Sequence, residues 1–322
     1  MANELAPARW PWLDGLRGLA IAGMAIYHLT WDLTFFHFIE PSVLRTPGFV
    51  LFGHVIACSF LAIAGFALAI ASCPQLDVRK FGFRFAKIMA AAALVTLVTY
   101  FIFPGSYVTF GILHCIAAAS IMSFAFIRRP WWTGALAGAV VFAAGVFVEM
   151  PLFDSVNGWI GLGERIPLTN DWRPLFPWAG AMLLGLASGQ FVLTRGTLAN
   201  FDGPLKGTRL FNWLALAGRY SLSIYLIHQP LLFALVWFPA QVLQPQALPV
   251  ISPESFNRAC EARCTASGAD AGFCARACGC ITKSALTADL WNNLTRGQFS
   301  EREQQRYDEI VTICRGAASA AR

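Results

Sequence analysis

Apolar residues along the chain fall into seven long runs. They lie near 12–35, 48–72, 84–103, 107–127, 131–149, 173–194 and 213–238, and short polar stretches separate them. A membrane-spanning helix needs about 20 mostly apolar residues, and each run approaches or passes that length. The pattern predicts an all-α, polytopic membrane helix bundle of about seven spans. The first run is too long for a cleaved signal peptide. It also carries Asp14 and Arg17 where such a peptide keeps an uninterrupted apolar stretch. Beyond the last run the pattern changes to short amphipathic segments, which predict a small helical C-terminal domain. The expected boundaries are 1–245 for the membrane domain and 246–322 for the tail.

Composition sharpens this division. The chain of 322 residues is 57% hydrophobic and 13% charged, with a mean hydropathy of +0.55. Soluble domains carry about 25% charged residues, so disorder, a coiled coil and an ordinary soluble enzyme are excluded. Residues 251–322 hold nine of the Lys and Arg residues and eight of the Asp and Glu residues. The net charge of +6 is no nucleic-acid signal, because the basic residues flank the apolar runs and form no patch of their own.

Basic residues in short loops set orientation. Arg9, Arg79, Lys80, Arg84, Lys87, Arg128, Arg129, Arg195, Lys206 and Arg209 fall on one side, and Arg45, Arg165 and Arg173 on the other. Ten against three puts the N-terminus in the cytoplasm, and seven spans then put the tail outside. The tail also holds six of the nine cysteines, Cys260, Cys264, Cys274, Cys278, Cys280 and Cys314. Such clusters belong to oxidising compartments.

Titratable groups inside spans are costly and mark functional sites. In the first run Arg17 and His28 are eleven residues apart. On a helix they share a face and lie roughly 16 Å apart along the axis. Asp32 lies one turn further on, and Asp14 sits one turn before Arg17. His54, His114, Asp171, Arg173, His228 and Gln229 fall at the outer ends of their runs, the layer of His28 and Asp32. A single His in a span is more often structural, whereas four in one layer with a carboxylate point to a site. Arg17, Arg84, Lys87 and Arg219 collect at the opposite end, where several cations suit a polyphosphate. The positive-inside rule accounts for Arg84 and Lys87 by itself, and less well for Arg17 and Arg219.

In the tail, Cys260 and Cys264 are spaced i, i+4, as are Cys274 and Cys278, so each pair lies on one helix face. Two helices joined through Gly268 and Gly272 would form a stapled hairpin. Six cysteines allow fifteen connectivities; the spacing favours Cys260–Cys278 and Cys264–Cys274, leaving Cys280–Cys314. A zinc site competes with this reading. Ser300 and Glu303 have the spacing of a capping box for a last helix ending near Cys314, with the residues after it disordered.

The ordered runs LDGLRGLAIAGMAIYHLTWDL, FLAIAGFALAI, FGILHCIAAASI, DWRPLFPWAGAMLLGLASG and LALAGRYSLSIYLIHQPLL resemble bacterial members of the heparan-alpha-glucosaminide N-acetyltransferase catalytic-domain family over about residues 9–238. The spacing of Arg17 and His28 is also similar to the first-span motif of acyltransferase-3 enzymes. The resemblance implies transfer of an acyl group, acetyl above all, from cytoplasmic acyl-CoA to an amine or hydroxyl of a sugar or glycan across the bilayer. Its location would be the inner membrane of a bacterial cell envelope. For such a transfer the residues and their spacing make His28 the catalytic group, as general base or transient acyl carrier, oriented by Asp32. CoA phosphates would lie on Arg17, Arg219 and, more weakly, Lys87. His54, His114, Asp171, Arg173 and His228 would line the sugar side. The animal enzymes differ: their catalytic His follows the first span, which makes His37 the alternative, and they have Asn where His28 stands. Neither metal nor haem is expected, nor a nucleic-acid partner. The oligomeric state stays open, a homodimer included. The competing class is a proton-coupled transporter using the intramembrane His and Asp groups.

Overall fold

The structure, a computed structural model, describes residues 10–73, 75–156, 158–164, 166–196, 207–243, 252–296 and 299–320. Arg9, Arg165 and Lys206, used above for orientation, lie outside the described residues. The chain divides into two compact units, Met1–Leu243 and Gln244–Arg322.

The first unit contains α1 (Pro11–Phe35), α2 (Pro47–Ala71), α3 (Val78–Ile102), α4 (Ile112–Phe124), α5 (Trp131–Phe147), α6 (Leu175–Arg195), α7 (Arg209–Arg219) and α8 (Ser221–Leu243). Among the described residues, α2, α3, α6 and α8 are long and apolar enough to cross a membrane. The 25-residue α1 has the length, but Asp14, Arg17 and Asp32 interrupt its apolar run. The apolar helices α4 and α5 are shorter. Large apolar side chains such as Leu97, Phe101, Leu136, Val140 and Phe147 are exposed. In water so much exposed apolar surface would drive association, whereas in a bilayer it meets lipid. The chain is a multi-pass membrane protein.

Helix α6 is the hub. Its run AGAMLLGLASG buries Met182, Leu183 and Leu186 and packs on α2, α4 and α5. Backbones meet directly between α2 and α6: a Cβ on Gly65 would strike the Met182 carbonyl, and one on Gly185 the Ala62 carbonyl. Small residues at such contacts replace the hydrophobic drive that lipid removes.

Two expected spans differ from the structure. The fourth, 107–127, contains only a 13-residue helix, because the preceding loop folds down against α3. There Thr96 Oγ1 donates to the Val108 carbonyl (2.8 Å) and Val108 N donates to Thr99 Oγ1 (3.0 Å). The seventh, 213–238, is broken at Tyr220 into α7 and α8. Helix α7 lies against the start of α1, where Gly18 meets the Leu214 carbonyl and Gly218 meets the Asp14 carbonyl. That backbone contact holds the 209–219 segment apart from the span that follows. Helix α8 then runs parallel to α1, since His228, Gln229 and Phe233 meet His28, Asp32 and Phe36 in the same order.

The second unit contains α9 (Pro253–Ala266), α10 (Ala271–Thr287), α11 (Trp291–Arg296) and α12 (Glu301–Ala320). Side chains of Ser252 and Asp270 cap α9 and α10, and Gly268, at φ 87°, closes the turn between them. Disulfides join Cys260 to Cys278, Cys264 to Cys274 and Cys280 to Cys314. The last helix corrects an expectation: it continues past Cys314 to Ala320 instead of ending in disorder. Ala318 is buried and its carbonyl accepts from Arg276 (3.3 Å), so tertiary packing extends an alanine-rich segment that already favours helix.

Candidate active site

A cavity of about 470 Å³ opens in the first unit. Arg17, Lys80, Arg84 and Lys87 line one end, where α1 and α3 begin, and Tyr225 of α8 lines it further along. Phe60, Ile63, Ile88, Ile116 and Leu222 contribute apolar wall. Basic residues thus meet an apolar slot, as an anionic head with a slender arm requires. Asp14, 4% exposed, sits beside this end. Arg17 donates to its Oδ1 at 3.0 Å, and Arg219 Nε lies 4.0 Å from its Oδ2. Arg219 is therefore drawn to Asp14 and is not among the cavity-lining residues. Lys80 instead joins Arg17, Arg84 and Lys87 along the cavity.

One turn beyond Tyr225, α8 meets α1. The rings of His28 and His228 lie 4.9 Å apart, edge to face. His228 Nδ1 is 2.6 Å from the Tyr225 carbonyl. A carbonyl only accepts, so Nδ1 carries the proton and Nε2 holds a lone pair. That Nε2 is buried and has no hydrogen-bond partner among the described residues. The Tyr225 ring, 5.6 Å from the His228 ring, links the cavity to the pair.

Asp32 corrects a second expectation. Its side chain is fully buried, and its Oδ1 accepts from Gln229 Nε2 at 2.8 Å. The carboxylate is thus held across the α1–α8 contact by an amide and does not orient the His28 ring. In this pair a backbone carbonyl supplies the tautomer-fixing bond, and it acts on His228.

The remaining residues form a neighbouring layer. His54, exposed on α2, packs edge-on against Trp178 at 5.3 Å, and the Arg173 guanidinium lies over the same Trp178 ring at 5.1 Å. Arg173 also donates to the Trp172 carbonyl (2.8 Å) and lies 3.9 Å from Asp171. Asp171 itself is occupied in capping: its Oδ2 accepts from Ile112 N at 3.0 Å, the first N–H of α4. His114 is occupied likewise. Its Nδ1 accepts from Gly111 N and its Nε2 faces Thr96 Oγ1, both at 3.3 Å, which satisfies both ring nitrogens. These bonds give Asp171 and His114 helix-capping roles. His37 sits past the end of α1 at φ 63°. Its N–H bonds Thr34 and that of Phe38 bonds Leu33, so it closes the helix with its side chain exposed.

Sequence reasoning placed Gln229 in the outer layer without a partner, and it did not name Tyr225 or Lys80 as site residues. Gln229 follows His228 by one residue, about 100° round the helix, so a face-by-face reading separates two side chains that both reach α1. Its signal was a primary amide in an otherwise apolar run. Among the described residues no cluster of three His, Cys, Asp or Glu side chains could hold a metal.

Compared with curated proteins and with solved structures, the chain matches none. A family model for the heparan-alpha-glucosaminide N-acetyltransferase catalytic domain matches residues 9–230. This interval holds the cation-lined cavity, the His28–His228 pair and the Asp32–Gln229 bond, and it covers well over half of the sequence; the chain belongs to the heparan-alpha-glucosaminide N-acetyltransferase catalytic-domain family.

Proposed function

We propose that the protein moves an acetyl group from cytoplasmic acetyl-CoA to an amine or hydroxyl of a sugar on the far side of a bacterial inner membrane. Family membership supports a membrane acetyltransferase acting on a glucosamine sugar. One observation carries the finer reading: four cationic side chains meet at one end of a cavity that leads, by way of Tyr225, toward a pair of facing imidazoles. In this reading Arg17, Lys80, Arg84 and Lys87 hold the donor phosphates through charge-assisted bonds, and the pantetheine arm follows the apolar wall. The acceptor's nitrogen or oxygen attacks the thioester carbonyl. Its proton passes to an imidazole lone pair, on His228 Nε2 or through it on His28, and the C–S pair leaves with CoA thiolate, which is then protonated. His54 and Arg173 line the acceptor side.

The test is binding followed by transfer. Acetyl-CoA should raise the melting temperature of the purified full-length protein. Arg17→Ala and Lys87→Ala should weaken that stabilisation, each by the loss of one or two charge-assisted bonds worth about 1.5–3 kcal/mol. No stabilisation of the wild type by acetyl-CoA would remove the donor from this reading.

A further inference from the structure

The α1–α8 contact contains a set of buried acceptor atoms, of which the acetyl-transfer reading uses only His228 Nε2. Asp32 Oδ2, Gln229 Oε1 and His228 Nε2 are each buried without a hydrogen-bond partner among the described residues. Asp32 is fully buried and His228 is 8% exposed. All three belong to side chains that touch one another or adjoin: Gln229 is bonded to Asp32, His228 precedes it, and His28, one turn before Asp32, faces His228. The bonds already made determine what each atom can do. Asp32 Oδ1 takes the Gln229 amide, which turns that amide's oxygen away. His228 Nδ1–H is committed to the Tyr225 carbonyl. What remains unsatisfied is acceptor only, three lone-pair sites with a carboxylate among them.

Unpaired buried acceptors are expensive, and a buried carboxylate more so. A group that brings several hydrogens and a positive charge matches such a set of acceptors. A primary ammonium has three N–H donors and one charge, whereas a hydroxyl at the same position brings a single donor and no charge. We propose that Asp32, Gln229 and His228 form a subsite for the primary amine of the acceptor, and that Gln229 is its positioning residue, aiming the free carboxylate oxygen. This deepens the acetyl-transfer reading and rests on it for the identity of the amine as an acceptor. In that reaction the amine enters protonated and His228 Nε2 takes one proton. The freed lone pair forms the C–N bond at the thioester carbonyl, the C–S bond breaks, the second N–H proton goes to the departing CoA thiolate, and His228 then releases its proton to solvent. Asp32 and His228 act on the substrate, and Gln229 adds its free oxygen to the subsite while aiming Asp32.

The experiment separates binding from transfer. The purified full-length protein is melted with D-glucosamine or with D-glucose, which differ in having an amine or a hydroxyl at one carbon. The wild type should bind glucosamine at least about tenfold more tightly, the worth of one charge-assisted bond. Gln229→Leu and Asp32→Asn should abolish that preference. The double variant Asp32→Asn with Gln229→Glu exchanges donor and acceptor in the bond and keeps three free acceptors and the same charge, so it should restore the preference. Equal binding of the two sugars by the wild type would overturn the proposal. So would a preference that survives Gln229→Leu, or one that the double variant fails to restore while its circular dichroism matches the wild type. Acetyl transfer to the same sugars is scored separately. Selective amine binding without transfer would leave the subsite standing and count against the acetyl-transfer reading.

Discussion

His228 and His28 share one contact but differ in what holds them. The Tyr225 carbonyl fixes the His228 tautomer, and the His28 ring is positioned by its edge-to-face contact with His228 and by Tyr27 beside it. If the pair works as the base, His228→Ala and His28→Ala should each lower acetyl transfer by about 10²–10⁴-fold, the usual yield of general base catalysis, with acetyl-CoA affinity little changed. His37→Gly is the contrasting variant. Glycine accepts the left-handed conformation found there, so the helix end persists and transfer should stay within twofold of wild type, about the scatter of an assay at a neutral site. Loss of transfer in His37→Gly with normal turnover in His28→Ala would return the base to the loop after α1.

At the scale of elements, the bundle depends on helix backbones coming into contact. Gly65→Val puts two methyl groups where the Met182 carbonyl stands, and overpacking of this kind costs about 1–3 kcal/mol or more. A lowered melting temperature should follow, whereas Gly82→Ala, inside α3 with open space around it, should leave the melting temperature level or raise it, since alanine favours helix over glycine. The last helix of the tail has a start that responds to pH. Glu303 accepts from the Ser300 N–H, then from the Ser300 hydroxyl and the Asn293 amide. These bonds hold its carboxyl below the ordinary value of 4.5. A group whose pKa is lower in the folded state stabilises the fold above its unfolded value and loses that contribution as pH falls through the folded one. The tail of the wild type should therefore become easier to proteolyse as pH drops below about 4.5, and Glu303→Gln should flatten that dependence.

For the whole molecule, compartment and covalent structure make joint predictions. On the loop charges, seven crossings with α7 held against the start of α1 would keep the N-terminus inside and put the tail outside. Protease added to intact spheroplasts should then remove the tail and spare the N-terminus. If cleavage of the tail requires permeabilisation, the orientation is reversed. Reduction should release six thiols to alkylation and unfold the tail. Its core is largely the cysteines themselves with Ala277, Ile281, Ala285, Leu290 and Trp291, and losing a disulfide costs a small domain about 2–5 kcal/mol. The first unit should survive, because its helices satisfy their own backbone bonds in lipid and its three cysteines, Cys58, Cys73 and Cys115, are free.

What could be read along the chain is what depends on local pattern. Run length and low charge established a helical membrane bundle, because a span must bury about 20 consecutive residues in lipid whatever its neighbours are. Cysteine spacing indicated the stapled hairpin, because i, i+4 positions share a helix face in any setting. Ser300 and Glu303 marked the start of the last helix for the same local reason. Partnership between distant residues was decided by tertiary structure. Asp32 has His28 one turn away, yet its bond is with Gln229, 197 residues on. Asp171 and His114 read as site residues, but the folded loops turn them into the cap of α4. Tyr220 breaks an apolar run that looked continuous, because Gly18 and Gly218 let α7 settle on α1. A buried polar atom takes the donor or acceptor that packing brings to it, and packing is a property of the whole bundle, set by which helices touch and at what depth.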